Sequence, residues 1–248
     1  MNEKIETIKN LIRESRNIVV FTGAGASAES GIPTFRDRST GLWENYEVED
    51  LATPGAFQRD KALVWGWYEW RRKLIMQAQP NPAHLAIATL AQRVEKLTVV
   101  TQNVDDLHER AGSQNVIHLH GNIQRPYCYD CGRPYAFPPG IPDEPDGGRR
   151  LDPPRCSHCN GFIRPGVVWF GEPLPDREWH AALDACSKCD LMFVIGTSAV
   201  VQPAASLPQQ AIARRVPVVQ INPDSAAFRG DAQFHLLGAA GEIMPNLL

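Results

Sequence analysis

Apolar positions along the chain gather into short runs separated by longer stretches of helical period. Residues 18–22, 98–101, 116–119, 191–195, 216–221 and 234–237 read as strands, and several are apolar at nearly every position, as in strands covered on both faces. Ile5, Ile8, Leu11 and Ile12 recur at helical spacing near the start. Residues 81–95 open on Asn81-Pro82, a capping residue followed by proline at the first helical position, and residues 204–215 are rich in alanine. This alternation predicts an α/β fold, a Rossmann-like parallel sheet with helices on its faces.

Two stretches interrupt the alternation. Residues 30–80 hold no convincing strand yet carry four of the six tryptophans. Residues 126–165 are rich in proline, glycine and cysteine and lack helical periodicity. The second stretch has too little apolar mass to fold alone, and a metal would supply the missing stability. The predicted organisation is a single domain over 1–248. Its Rossmann-like part takes in about 1–30, 81–125 and 166–248, a helical insertion about 31–80, and a metal module about 126–165.

Composition narrows the function classes. The 248 residues are 43% hydrophobic and 21% charged, ordinary for a globular domain. A net charge of −3 gives no support to nucleic-acid binding. No run reaches the ~18 apolar residues of a spanning helix, and the polar N-terminus does not read as a signal peptide. A cytoplasmic protein with no membrane partner is expected; the sequence does not reveal the oligomeric state, and a monomer is compatible with it.

Six cysteines form three Cys-x-x-Cys pairs. Cys128/Cys131 and Cys156/Cys159 lie 24 residues apart within the proline- and glycine-rich stretch. Four thiolates from two tight turns can close a tetrahedral shell around a structural zinc ion. Cys186/Cys189 competes on spacing, but it precedes an apolar strand and reads as the end of a helix. His158, inside the second knuckle, is a weaker substitute ligand.

The first strand runs into Gly23-Ala24-Gly25-Ala26-Ser27. Such a turn, leading into a helix, lets backbone N–H groups approach phosphates. The full Gly-x-Gly-x-x-Gly spacing is not met, because residue 28 is alanine, and a simple tight turn would look the same. His118 and His120 share one side of a strand and would serve as half-buried packing residues, metal ligands or a general base. On a helix Tyr68 shares a face with Arg71 at i+3 and with Arg72 at i+4. Arginine offers a planar fork for a carboxylate, although an ordinary salt bridge would use the same residues.

The stretch from Gly23 to Asp37, continuing Ala28-Glu29-Ser30-Gly31-Ile32-Pro33-Thr34-Phe35-Arg36, resembles the cofactor signature of the sirtuins. In the same order follow Thr101-Gln102-Asn103-Val104-Asp105, His118-Leu119-His120-Gly121, Gly196-Thr197-Ser198 and Asn222-Pro223-Asp224. The resemblance covers essentially the whole chain. It implies an NAD-dependent protein-lysine deacylase that spends NAD as co-substrate and releases nicotinamide and O-acyl-ADP-ribose. It implies His120 as the base, with Asn103 assisting catalysis. Cofactor contacts would come from Gly23, Ala24, Gly25, Ser27, Thr34, Phe35, Arg36, Trp43, Gln102, Asn103, Asp105, Gly196, Thr197, Ser198, Asn222, Asp224 and Ala240.

Arg164 to Glu172 resembles the family's peptide-binding stretch, with Val167, Phe170, Gly171 and Glu172 against substrate, and 198–203 its opposite wall. An acyl-lysine protein or peptide would lie between them as an added strand. Tyr68-x-x-Arg71, with a small residue at Ala56, resembles the class III members that favour succinyl, malonyl and glutaryl lysine. Two other readings use the same residues: mono-ADP-ribosyl transfer to protein, and a non-catalytic sensor of NAD or acyl-lysine.

Overall fold

The computed structural model describes residues 2–33, 46–47, 51–224 and 232–248. Its centre is a six-stranded sheet built from β1 (Asn17–Thr22), β2 (Lys96–Thr101), β3 (Val116–His118), β6 (Leu191–Ile195), β7 (Val218–Asn222) and β8 (Phe234–Leu237). The order is β3-β2-β1-β6-β7-β8, and every pairing is parallel. Strands β6 and β7 are buried along their whole length, which explains the unbroken apolar sequence of β6, while β7 buries Gln220 and Asn222 among its apolar residues. Side chains still alternate. Ile18 and Val20 pack with Phe193 and Val219 under the helices Asn2–Glu14 (α1) and Pro82–Ala91, while Val19 and Phe21 pack with Met192 and Val218 under Asp176–Lys188 and Leu207–Ala213.

All six expected strands are present; 191–195 and 234–237 have the expected ends, and the other four differ by one or two residues at one or both ends. The seventh strand starts at Val218 and not at 216, because Pro217 has no N–H to offer the ladder. The third ends at His118, one residue early. The helix expected over 81–95 stops at Ala91, and the alanine-rich stretch splits into a 3-10 turn, Ala204–Ser206, and the helix Leu207–Ala213.

The insertion is helical, as expected. Helix α2 (Pro54–Arg59) is capped by Thr53, whose Oγ1 accepts from the Ala56 N–H at 3.1 Å. Helix α3 (Lys61–Gln77) is capped by Asp60, which accepts from the Leu63 N–H at 3.0 Å. At its other end the Arg110 guanidinium donates to the carbonyls of Ile75 (3.1 Å) and Ala78 (2.5 Å), where cations are favoured.

Helix α3 is buried on two sides. One side, through Val64, Trp67, Tyr68 and Ile75, packs on Phe57, Val167 and Trp169. The other, through Trp65, packs on Cys128, Cys156 and Ile163 of the cysteine module. Along that second side, Arg72 donates to Glu69 at 3.0 and 2.8 Å and covers the Phe137 ring at 3.6 Å. Gly66 sits where a Cβ would lie 2.0 Å from the Arg149 carbonyl oxygen, so only glycine lets that loop lie on the helix. The module itself is stitched by two short antiparallel strands, β4 (Tyr127–Cys128) and β5 (Ile163–Arg164). Among the described residues no helix is long and apolar enough to cross a membrane.

Candidate active site

The sheet order reverses at β1, which has β2 on one side and β6 on the other. Loops leaving the C-terminal ends of neighbouring strands converge at such a point, the usual place for a ligand in an open α/β sheet. The loop after β1 brings Gly23, Ala24, Gly25 and Ser27, and the loop after β6 brings Gly196, Thr197 and Ser198. The loop after β2 brings Gln102, Asn103 and Asp105, and that after β7 brings Asp224 beside Asn222. Thr34, Phe35, Arg36 and Trp43 lie outside the described residues.

The loops are tied together. Gly25 N–H donates to the Gly196 carbonyl at 2.8 Å, Gln102 Nε2 to Thr197 Oγ1 at 2.8 Å, and Asn222 Nδ2 to the Thr197 carbonyl at 3.1 Å. Gly196 has φ +59°, and a Cβ there would lie 2.3 Å from the Ala26 nitrogen. The chain after Gly23 forms two 3-10 turns, Ala24–Ala26 and Ala28–Ser30, where the sequence suggested an α-helix. The glycines here therefore serve loop-on-loop packing. Ala240 opens the helix Ala240–Ile243, next to Gly241, whose N–H donates to Glu29 at 2.7 Å.

Beneath the loops is a buried polar network. Ser27 Oγ donates to Asp105 Oδ2 at 2.9 Å and accepts from Asn103 Nδ2 at 3.1 Å. His84 Nε2 stands 3.5 Å from the same hydroxyl, and its Nδ1 accepts from the Asn81 N–H at 3.3 Å. Burial pulls His84 down to about 4, so it is neutral. Burial also pushes the Asp105 carboxyl up, against the bonds from Leu107 N–H and Ser27. In the sequence Asn81-Pro82 marks only a helix start, and no motif points to His84. The available signal was a histidine three residues after the cap, here closing a capping box.

The two strand histidines separate cleanly. His118 faces acceptors at both nitrogens, Asn103 O at 3.2 Å and Glu109 Oε1 at 2.6 Å. Both nitrogens must then donate, which makes the ring a cation. Burial opposes the charge, but Glu109 and the Asn103 carbonyl prevail and its pKa is raised. Among the described residues His120 bonds only through Nδ1, to the Gln102 carbonyl at 3.0 Å. That places its proton on Nδ1 and leaves the Nε2 lone pair available. Burial lowers its pKa, so it is neutral near pH 7. Of the two, His120 has the form of a base.

The stretch after β5 adds to this edge. Gly121 bridges Val167 antiparallel, and the Val168 N–H donates to the His120 carbonyl at 2.9 Å. Val167 is buried, while Phe170 and Gly171 lie exposed at the rim. The Glu172 carboxylate is engaged inside the protein, by Arg164 at 2.6 and 2.8 Å and by the Trp169 N–H at 2.8 Å. Ala56, Tyr68, Val167 and Trp169 share one apolar cluster. Arg71 is buried with its guanidinium 5.1 Å from the Trp67 ring centre. Burial lowers its pKa against the opposing charges of Tyr68 and Asp105.

In the module, the sulfurs of Cys128, Cys131, Cys156 and Cys159 lie within 4.8 Å of one another. Cys128–Cys159 is 3.4 Å and Cys131–Cys156 3.8 Å. Zinc–sulfur bonds of ~2.3 Å in a tetrahedron put sulfurs ~3.8 Å apart, so the four thiols fit one zinc ion. His158 does not belong to the cluster. Cys186 and Cys189 are buried at the end of the helix Asp176–Lys188, as expected.

Residues 23–203 match the model of the Sir2 family. A protein of Methylococcus capsulatus named NAD-dependent protein deacylase is 60% identical over 237 residues, 96% of this chain and 93% of its own. NAD-dependent protein deacylase 1 of Pseudomonas aeruginosa is 52% identical over 246 residues, 98% of each. The crystal structure of a Sir2 homolog–NAD complex superposes with a TM-score of 0.86 at 46% identity, covering 98% of this chain and 91% of that one. A Sir2–p53 peptide–NAD+ complex gives 0.84 at 34% identity, covering 98% and 96%. With loops converging at a sheet switch point, a four-cysteine module and this likeness along nearly its whole length, the chain belongs to the Sir2 family.

Proposed function

We propose that this chain, an NAD-dependent protein deacylase, removes succinyl, malonyl and glutaryl groups from lysine in preference to acetyl. NAD is consumed as nicotinamide leaves, and the acyl group passes from lysine to ADP-ribose. In our reading Asn103 and Asp105, held by Ser27, meet the nicotinamide side of the co-substrate. His120 Nε2 takes the ribose hydroxyl proton that must leave for the acyl group to migrate. Its Nδ1–H, bonded to Gln102, then steadies the imidazolium. The peptide adds as a strand between 164–172 and 198–203. Cys128, Cys131, Cys156 and Cys159 would hold zinc with no open position, which supplies folding stability to the module and no chemistry.

The acidic preference rests on how helix α3 divides its two arginines. Arg72 is taken by Glu69 and faces Phe137 of the cysteine module. Arg71 shares the other side with Tyr68, and it feels the charge of Asp105 in the cofactor network. A buried cation beside a phenol, next to the small Ala56, suits a carboxylate at the end of an acyl chain. The deciding experiment compares kcat/KM on one peptide carrying acetyl, succinyl, malonyl or glutaryl lysine. Higher values for the acids are expected. Values at or below acetyl for all three acids would overturn the preference.

A further inference from the structure

Trp169 stands where helix α3 meets the 166–172 stretch, and its two nitrogens are both committed. Its backbone N–H donates to Glu172 Oε2 at 2.8 Å, and Arg164 grips the same carboxylate at 2.6 and 2.8 Å. The Arg164 guanidinium also covers the Trp169 ring at 3.6 Å and donates to the Val167 carbonyl at 3.0 Å. Phe57 packs on the indole with ring centres 5.3 Å apart. Clamped in this way, the indole extends Nε1–H to the Tyr68 hydroxyl at 3.1 Å.

That bond has a fixed direction. An indole nitrogen donates and never accepts, so Tyr68 must receive it on an oxygen lone pair. The phenol proton then points elsewhere, and burial keeps it on the oxygen by pushing the Tyr68 pKa up. Tyr68 and Arg71 lie one helical turn apart, on the side of α3 that carries the proposed acyl pocket.

We propose that Trp169 is a positioning residue for acyl selectivity: its indole N–H holds the Tyr68 oxygen as an acceptor and so aims the phenol proton, beside Arg71, at the carboxylate of an acidic acyl group. This rests on the acidic-acyl reading of the pocket. A tryptophan that merely filled space would influence every acyl-lysine alike.

The test is a double-mutant cycle on Trp169→Phe and Tyr68→Phe, read as KM and kcat for acetyl- and succinyl-lysine versions of one peptide. Trp169→Phe should raise the succinyl KM about five- to tenfold more than the acetyl KM, the scale of one buried neutral hydrogen bond, with no matching selective change in kcat. In the Tyr68→Phe background the same change should produce no such selective rise. Equal shifts for both acyl groups, or an undiminished effect without the Tyr68 hydroxyl, would overturn the proposal. If Trp169→Phe fails to fold, benzothienylalanine at position 169 removes only the N–H and is judged by the same criteria. If the unaltered protein shows no preference for succinyl over acetyl, the reading of the pocket falls and this proposal falls with it. If the preference is present and Trp169→Phe leaves it intact, this proposal alone falls.

Discussion

Replacing Arg71 by methionine keeps most of the side-chain stem and removes the guanidinium. The residue is buried, and burial already disfavours its charge, so on the proposed acidic-acyl reading a substrate carboxylate would meet it with little water between them. Truncating one partner of such a desolvated charged pair costs about 2–5 kcal/mol, much of it from leaving the other charge unpaired. Taking ~3 kcal/mol, kcat/KM for a succinyl-lysine peptide falls roughly 150-fold. Acetyl-lysine brings no carboxylate, and its kcat/KM should stay within about threefold. Stability is a control here, because the contact with the Trp67 ring is lost, at about 0.5–2 kcal/mol. The assay is nicotinamide release at saturating NAD, so that any effect passed through Asp105 on co-substrate binding does not enter. Equal loss on both peptides would refute the reasoning, since Arg71 would then serve the fold or the cofactor site and not the acyl group.

Four more outcomes are expected. Cys156→Ala should lower zinc, measured by elemental analysis, below one ion per chain and lower the melting temperature; undiminished zinc would count against the four-thiol site. His120 has its pKa lowered from 6.5, so the acid limb of the pH–rate profile should lie below that value; a limb centred above pH 7 would exclude His120 as the base. His118 has its pKa raised, so its pairing with Glu109 stabilises the fold below its unfolded value of 6.5 and is lost as pH rises through the folded value. Glu109→Gln should therefore cost more melting temperature at about pH 6 than at about pH 8, and an equal cost at both would remove the linkage. Gly66→Ala would stabilise an exposed helix, but here the Cβ meets the Arg149 carbonyl, so a loss of ~1–3 kcal/mol by denaturant titration is expected and a gain would be contrary.

The sheet was legible because burial on both faces writes itself as apolar runs, as in Leu191–Ile195. The cysteine module was legible from spacing and a lack of apolar mass. Strand ends were less so, since a local feature such as Pro217 overrides a run of valines. The glycine turn suggested a phosphate-binding helix, but its geometry is set by a distant loop at Gly196. His84, Arg164 and Trp169 act through partners 57, 8 and 101 residues away, and no periodicity records such pairs. Helical spacing alone allows either Arg71 or Arg72 beside Tyr68, and only the sirtuin resemblance selects Arg71; in the fold Arg72 pairs with Glu69 and covers Phe137.

Because helix α3 is wedged between two packed layers, it has no free side on which to roll or slide. On the acidic-acyl reading it then acts as a rigid gauge. The distance from the substrate lysine to the α3 backbone would then be the same for malonyl, succinyl and glutaryl groups, which differ by one methylene each. Only the Arg71 stem, with its several rotatable bonds, can take up the difference. The spread of rates across the three acids would therefore report the reach of a single side chain, and a change of gauge length would have to begin in the cysteine module that backs the helix.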